Sequence, residues 1–252
     1  MKKGKLTYHL FLSNALIVVF IILSCNKPNA PDCIQRAGSF ETELRTIDAF
    51  NEIHLRDFIK IELYDSTETF VTINAPRNLI PDIETRVEDG KLTIHNNNTC
   101  NMVRSLKNII TVRIYAPSFP YIYNAGTGDI VSVNTLRFNT FELENRKAAG
   151  NIDLTLDVDT TRIFAHSGVA DVTVRGNSIR SELFEQGYGW IHAQDLRSRY
   201  TFVNNSSLNE IRATADEYLF SFIKSSGNNY YSGTPNTIDE QRTGTGQLIH
   251  LN

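Results

Sequence analysis

The second half of the chain is built on one corner that recurs about every twenty residues. In each copy, between Tyr123 and Leu248, a Gly- or Ser-containing corner leads into an apolar residue, then a polar one, then another small or apolar one. Glycine accepts a positive φ, so the chain can turn sharply there. The apolar followers are Ile130, Ile152, Val172, Ile191, Ile211, Tyr231 and Leu248, at intervals of 22, 20, 19, 20, 20 and 17 residues. A period near twenty with strand-like alternation predicts a solenoid of β-coils.

Each coil is predicted to supply two strands to a parallel β-helix. Alternate side chains of a strand point to opposite faces, so the apolar followers form one inward column and the residues two positions later form a second. The second column is Ser132, Leu154, Val174, Ala193, Ala213 and Gly233. The fold class is therefore all-β, a parallel β-helix of about 20 residues per coil, preceded and capped by N-terminal β-hairpins. An antiparallel sandwich is the alternative, but its hairpins would not reproduce the same corner every twenty residues.

The region before the corners is predicted to contain strands and hairpins. The alternating runs 58–64 and 70–74 are expected to pair across a polar turn. The segment 85–94 is expected to form a second hairpin, because Asp89-Gly90 is a strong turn signal. Residues 46–252 thus form one domain, with N-terminal strands over 46–120 and regular coils over 121–252. Since an open coil exposes strand edges, the hairpins are expected to cap one end and residues 233–252 the other.

The first 24 residues are predicted to be a lipoprotein signal peptide. Lys2, Lys3 and Lys5 precede an apolar core over 10–23, which at 14 residues is short of the roughly 20 needed to span a membrane. The core ends in Leu23-Ser24-Cys25, which resembles a bacterial lipobox and implies diacylglyceryl attachment to Cys25. An ordinary secretory signal with an incidental cysteine is the alternative.

Residues 25–45 are predicted to be a tether, with Pro28 and Pro31 and few apolar residues. Outside the cytoplasm a disulfide between Cys33 and Cys100 is allowed, and two unpaired thiols are the alternative. The segment after Cys25 lacks an obvious acidic export signal. The periplasmic side of the outer membrane is therefore favoured over surface display.

Charge and composition exclude some classes of partner. Removal of the leader leaves 228 residues with 22 basic against 28 acidic side chains, a formal charge of about −6. No basic patch argues for nucleic acid. The balance fits a mildly acidic, exported domain anchored to the membrane by its lipid.

The order of the motifs resembles a known family. The motifs are Val71–Ile73, Val87–Ile94, Val112–Pro117, the corners from Ala125-Gly126-Thr127-Gly128 onward, and the closing Tyr231–Pro235 with Gly244-Thr245-Gly246. Together they resemble the putative auto-transporter adhesin, head GIN domain family of Bacteroidetes-type exported lipoproteins, over roughly 50–251. The resemblance implies a β-solenoid and an adhesin-like role, and it supplies no catalytic residues. The corners at 148–150 and 206–208 depart from the usual Ser-Gly-x-Gly pattern.

The residues that could carry out chemistry form an outward ladder. Each of them lies one residue before an inward apolar residue. The ladder is Asp129, Asn151, Asp171, Trp190, Glu210, Tyr230 and Gln247. Asp129 and Asp171 are expected two coils apart, about 10 Å, slightly beyond the separation in inverting glycosidases. A carbohydrate-active lyase or hydrolase on a β-helix is therefore the alternative function. The histidines lack ligand spacing, the Gly126–Ile130 segment lacks a dinucleotide fingerprint, and a calcium roll would repeat every nine residues. No cofactor or metal is expected.

The preferred interpretation is a binding module without catalysis. Trp190, Tyr188 and Tyr230, with Asp129, Asp171 and Glu210 nearby, form the predicted binding face. Exposed aromatic rings on a rigid sheet suit stacking on sugars or burial under a protein partner. Rings that merely cover a coil edge are the alternative for these residues. The expected protein is a cell-envelope lipoprotein that presents a flat sheet face to a glycan or an envelope protein.

Overall fold

The fold is a parallel β-helix, which confirms the predicted class. The computed structural model describes residues 37–98 and 109–251, and this part of the chain contains 18 strands, one short 3₁₀ turn at Ile80–Asp82 and no α-helix. The strands are β1 (Phe40–Thr46), β2 (Glu52–Asp57), β3 (Lys60–Asp65), β4 (Phe70–Pro76), β5 (Ile83–Glu88), β6 (Lys91–Asn96), β7 (Thr111–Ala116), β8 (Tyr121–Gly126), β9 (Ile130–Ser132), β10 (Leu136–Asn145), β11 (Ile152–Ala165), β12 (Val172–Glu185), β13 (Ile191–Asn205), β14 (Ile211–Thr214), β15 (Tyr218–Ile223), β16 (Asn229–Ser232), β17 (Thr237–Arg242) and β18 (Leu248–His250).

The coils form two stacks of parallel strands, here named sheet 1 and sheet 2. Sheet 1 follows the corners and runs through β7, β3, β9, the first halves of β11, β12 and β13, then β14, β16 and β18. Sheet 2 precedes the corners and runs through β6, β2, β8, the second halves of β10 to β13, then β15 and β17. The long strands β11, β12 and β13 pass from one sheet into the other, so each coil is closed around a single core.

The predicted inward column is confirmed over five coils. Ile130, Ile152, Val172, Ile191 and Ile211 pair in succession across neighbouring strands, and each is fully buried. In the second column, Leu154 pairs with Val174 and Ala193 pairs with Ala213. A register irregularity between Thr173 and Arg175 separates these two pairs.

The prediction is wrong at the next coil, where the register is displaced by two residues. Ile211 pairs with Asn229, and Tyr231 instead pairs with Ala213 in the second column. The coil after Ile211 is shorter than the average period, and a slip of two keeps the same side chains facing inward. Gly233, predicted for the second column, lies beyond β16 and has a φ of +89°.

Most corner glycines are required by close backbone approach. A Cβ built on Gly150 would lie 2.0 Å from the carbonyl oxygen of Gly128, and one on Gly189 would lie 2.0 Å from that of Ala170. Neither glycine has a positive φ, whereas Gly168 does, at +107°. The expectation that the corners need glycine for a positive φ therefore holds for only some of them; stacked coils touching through their main chains explain the others.

The predicted pairing of residues 58–64 with 70–74 is wrong. β3 pairs in parallel with β7 and β9, and β4 pairs antiparallel with β7 and β1. The predicted hairpin of β5 and β6 is confirmed, and Asp89 and Gly90 at its turn have φ values of 50° and 75°.

The N-terminal strands belong largely to the solenoid itself. β2 lies between β6 and β8 in sheet 2, and β3 lies between β7 and β9 in sheet 1. The β2–β3 coil is thus inserted between two coils that follow it in the sequence. Only β1, β4 and β5 add antiparallel strands at this end.

The two ends of the stack are finished by polar side chains. At the N-terminal end, β1 is largely exposed on both faces, and Arg45 donates to Thr85 Oγ1 (3.0 Å) and to the Ile80 carbonyl (3.0 Å). The range predicted as tether, 25–45, thus overlaps β1, whose strand has no buried apolar face to mark it in the sequence. At the other end, β17 carries Glu240 and Arg242 at inward positions opposite Ser221 and Ile223, and their side chains pair at 3.1 Å.

We expect Ile191→Asp to unfold the coil stack. The side chain is fully buried between Val172 and Ile211, so an unpaired carboxylate there should lower the free energy of unfolding by more than about 3 kcal/mol. Thermal and urea unfolding of the purified variant measure this. Thr173→Asp is the control, because it places the same charge on the outer face of the neighbouring coil. Equal melting temperatures for Ile191→Asp and the unmodified protein would contradict the register.

Candidate functional site

The outward ladder is present, with one residue misassigned. Asp129, Asn151, Asp171, Trp190 and Glu210 each precede an inward residue, as predicted. At the following coil Asn228 takes this position, because Asn229 is the residue that pairs with Ile211. Tyr230 lies in the adjacent outward column, opposite Arg212, so its predicted place on the ladder is wrong.

The two ladder aspartates each accept a hydrogen bond from the main chain of the next coil. Asp129 Oδ1 accepts a hydrogen bond from the Asn151 N–H at 2.9 Å, and Asp171 Oδ1 accepts one from the Trp190 N–H at 3.0 Å. Asn228 repeats the contact with the Gln247 N–H at 2.8 Å. These side chains therefore stabilise the corners by satisfying backbone donors. Within the described residues, no three His, Cys, Asp or Glu side chains are grouped to hold a metal ion.

Glu210 and Tyr230 are brought together through Arg212. Glu210 Oε1 accepts from Arg212 Nε at 2.7 Å, and the guanidinium carbon lies 5.5 Å from the centre of the Tyr230 ring. On the neighbouring coil, the Trp190 and His192 rings are in edge-to-face contact, with centroids 5.6 Å apart. The predicted aromatic residues therefore sit on one side of the solenoid, but Asp129 lies three coils from Trp190.

An apolar ridge runs along three successive corners, and we call Val169, Tyr188, Leu208 and Trp190 the corner ridge. Val169, Tyr188 and Leu208 hold the same position in their coils, three residues before Val172, Ile191 and Ile211. Their exposed fractions are 57, 70 and 66%, and Trp190 is 43% exposed. The sequence analysis missed Val169 and Leu208. Their shared offset from the inward followers was the signal that could have identified them.

A second surface, on sheet 2, was also missed. A groove of about 550 Å³ is open to solvent and is lined by outward side chains from four coils. We call it the phenylalanine groove; it is formed by Phe164, Phe184, Phe202 and Phe220, with His166, Arg180, Glu182 and Asn204. The signal in the sequence was aromatic residues at outward positions of the strands that precede the corners.

The charged side chains of the groove are paired with one another. Arg180 Nε donates to Glu182 Oε1 at 2.6 Å, and Arg162 Nε lies 3.5 Å from Glu182 Oε2. The Arg180 guanidinium carbon also lies 3.9 Å above the centre of the Phe202 ring. Arg180 therefore forms one wall of the groove, held by a cation–π contact and an ion pair.

A polar network borders the groove on the N-terminal side. The Tyr121 hydroxyl donates to Glu144 Oε2 at 2.7 Å, and Glu144 Oε1 lies 2.5 Å from Arg146 Nε and 3.6 Å from His166 Nε2. The Tyr121 hydrogen bond and the Arg146 charge hold the pKa of Glu144 below its usual range, although partial burial opposes them. Partial burial and the hydrogen bond to Glu144 raise the pKa of Tyr121. Glu144 is thus an ionised acceptor at neutral pH.

The architecture defines the class of the protein as a parallel β-solenoid, and similarity to known proteins identifies its family. The model of the putative auto-transporter adhesin, head GIN domain family matches residues 49–235. The chain belongs to this family. No curated protein matches the chain.

Several solved structures have the same fold. A putative adhesin from Bacteroides fragilis NCTC 9343 is 23% identical, with a TM-score of 0.76 over 84% of this chain and 97% of that one. A putative lipid binding protein from Parabacteroides distasonis ATCC 8503 is 18% identical, with a TM-score of 0.63 over 85% and 98%. A putative adhesin from Parabacteroides merdae ATCC 43184 is 16% identical, with a TM-score of 0.62 over 86% and 98%. At these identities the likeness concerns the fold.

The membrane-related predictions concern residues outside the described ranges. Cys25, Cys33 and Cys100 all lie there, so the lipidation and the disulfide stay predictions. Over 37–98 and 109–251, no helix has the length and apolarity to span a membrane.

Glu185 is a buried carboxyl inside the solenoid. Its side chain is inaccessible to solvent, and within the described residues its carboxyl oxygens have no well-formed hydrogen bond, the Gly187 N–H being the nearby donor. Burial raises the pKa of Glu185 to about 8, and the charge of Asp171 contributes in the same direction, while the Gly187 N–H opposes them. The group is therefore protonated at neutral pH in the folded protein.

We expect the free energy of unfolding to fall as the pH rises from about 4.5 to about 8. Over this range the folded state retains the Glu185 proton that the unfolded chain has lost, so alkali favours unfolding, and the effect levels off above pH 8. Each unit of pKa difference corresponds to about 1.4 kcal/mol. Urea unfolding between pH 4 and 9 measures the slope. Glu185→Gln should remove this component and exceed the unmodified protein in stability at pH 9, whereas Glu68→Gln, at an exposed site, should not. Superimposable pH profiles for Glu185→Gln and the unmodified protein would contradict the assignment.

Proposed function

We propose that the protein is a non-catalytic, adhesin-like binding module of the cell envelope. Its corner ridge contacts a glycan or an envelope protein and leaves that ligand unchanged. The lipid on Cys25 anchors it to the outer membrane, on the periplasmic side. Family membership supports an envelope or extracellular location, and the anchor rests on the sequence Leu23-Ser24-Cys25.

The observation that carries this proposal is the exposure of the corner ridge. Tyr188 and Leu208 are about two-thirds exposed and stand on corners fixed by main-chain contacts, including Tyr188 N–H to the Gly168 carbonyl at 2.8 Å. Large apolar side chains held rigidly in water are typical of binding surfaces, since their burial gains free energy without much loss of conformational entropy. Trp190 beside them supplies an aromatic ring of the kind that dominates binding energy.

The rival, a carbohydrate-active enzyme, requires two carboxylates free to act on one bond. Asp129 and Asp171 lie two coils apart, and each already accepts a backbone hydrogen bond. A general acid or nucleophile in such a position would lose a corner contact when it reacted. A binding module does not require two free carboxylates. The occupied aspartates therefore favour binding over hydrolysis or elimination as the function.

We expect Trp190→Ala and Tyr188→Ala each to weaken binding about tenfold or more, because truncating an aromatic anchor removes most of its buried contact. The purified protein is screened against envelope glycans and solubilised envelope proteins, and affinities of the variants are measured for each ligand found. Ile179→Ala is the matched control, since Ile179 is 44% exposed and lies away from the ridge. Unchanged affinity in both ridge variants would remove the ridge from the proposal. Sugar fragments that disappear with Asp129→Asn would replace binding with catalysis.

We expect Cys25→Ala to move the protein from the membrane fraction to the soluble fraction, because the sulfur that carries the diacylglyceryl group is lost. Cell fractionation and the intact mass of the mature protein check this. Cys33→Ala is the control and should remain in the membrane fraction. An unmodified mature mass for the natural protein would contradict the anchor.

A further inference from the structure

One position in the outward column of large side chains that lines the phenylalanine groove is occupied by a smaller, polar residue. Phe184 pairs with Asn204, and Asn204 pairs with Phe222 on the next coil. Phe202 lies two residues from Asn204 on the same strand. The asparagine therefore stands where the outward column would otherwise carry a third consecutive aromatic ring.

This residue carries an unsatisfied polar atom. Asn204 Oδ1 is buried, and it has no hydrogen-bond partner among the described residues. Leaving a buried acceptor unpaired is unfavourable, so a ligand group that bonds to it recovers the lost free energy. Because the oxygen is covered, such a group reaches it only when a neighbouring side chain turns aside. A hydroxyl suits the site best, since it both donates and accepts and thus satisfies the amide in either of its two orientations.

The charge of the groove selects an uncharged ligand. Arg180 and Glu182 neutralise each other within the site, and Arg180 is further held against Phe202. A phosphate or carboxylate would have to compete with Glu182 for the guanidinium. A neutral molecule meets no such competition.

The open shape of the groove favours a ring with one apolar and one polar side. Phenylalanine faces carry negative charge density and attract the weakly positive C–H groups of a sugar ring. The opposite side of that ring keeps its hydroxyls in water. An acyl chain in the same open groove would leave apolar surface exposed to solvent. The volume of about 550 Å³ is within the range of small-molecule sites.

We propose that the phenylalanine groove is a binding site for a neutral glycan. A sugar ring stacks on Phe184 beside Phe202, one face of which Arg180 covers, and one of its hydroxyls bonds to the Asn204 side chain. The site is separate from the corner ridge, because it lies on the outer face of sheet 2 whereas the ridge lies on the corners, and it holds whether or not the ridge binds a partner.

The test uses Asn204→Leu, which keeps a side chain branched at Cγ and removes the acceptor. Because it replaces an unsatisfied polar group with an apolar one, we expect the melting temperature to stay equal or rise while glycan binding is lost. Gln241→Leu is the matched control, since Gln241 pairs with Phe222 in the same outward column but is exposed. Phe202→Ala removes a ring of the groove, and Trp190→Ala removes a ring of the corner ridge. Comparison of these two variants shows which surface holds the glycan.

Binding is measured calorimetrically with neutral hexasaccharides of glucose, mannose, xylose and N-acetylglucosamine, and with phosphatidylethanolamine vesicles. We expect at least one hexasaccharide to bind, with affinity reduced more than tenfold in Asn204→Leu and Phe202→Ala and less than twofold in Gln241→Leu. The absence of binding to all four hexasaccharides would overturn the proposal. Glycan binding that Asn204→Leu leaves intact, or vesicle binding alone that Phe202→Ala abolishes, would also overturn it. Loss of glycan binding in Trp190→Ala alone would assign the glycan to the ridge and reject the groove.

Discussion

The structure depends on how closely successive coils stack. At the corners the main chains touch, so that a Cβ on Gly150 or Gly189 would collide with the carbonyl oxygen one coil away. This contact holds neighbouring coils in nearly the same register, and side chains at equivalent positions therefore form straight columns on both faces of each sheet. The buried isoleucine column and the two outer surfaces are consequences of the same alignment.

The stacking also decides which polar side chains are free for other roles. Each coil leaves corner N–H groups that must be satisfied, and Asp129 and Asp171 accept two of them. The carboxylates most suggestive of chemistry in the sequence thus belong to the scaffold. The surfaces left for recognition are apolar and aromatic, on the corner ridge and in the phenylalanine groove, and these lie on different sides of the coil.

The sequence was sufficient to predict the structural features that recur in every coil, and it was insufficient for the features that occur once. The inward column from Ile130 to Ile211 could be assigned because burial demands an apolar residue at every period. The displacement that pairs Ile211 with Asn229 could not be predicted, because a shift of two residues preserves the alternation of inward and outward side chains. The groove phenylalanines do recur, at 164, 184, 202 and 220, but outward positions carry no demand for apolar residues, and the Asn, Glu and Arg that stand among them obscured the pattern. The strand β1 was not predicted, because it is held by main-chain pairing and by Arg45 and has no buried apolar face.

The inserted coil has a consequence for the order of folding during synthesis. β2 and β3 leave the ribosome before any of the four strands that flank them, and β2 meets β8 only after about 70 more residues have been added. A repeat array can grow coil by coil from one end, whereas here the first coil needs two later ones to close over it. The apolar sides of β2 and β3 are therefore uncovered for much of translation. Folding of the N-terminal end must therefore wait for strands made much later, which leaves this part of the chain the most exposed to misassembly during synthesis.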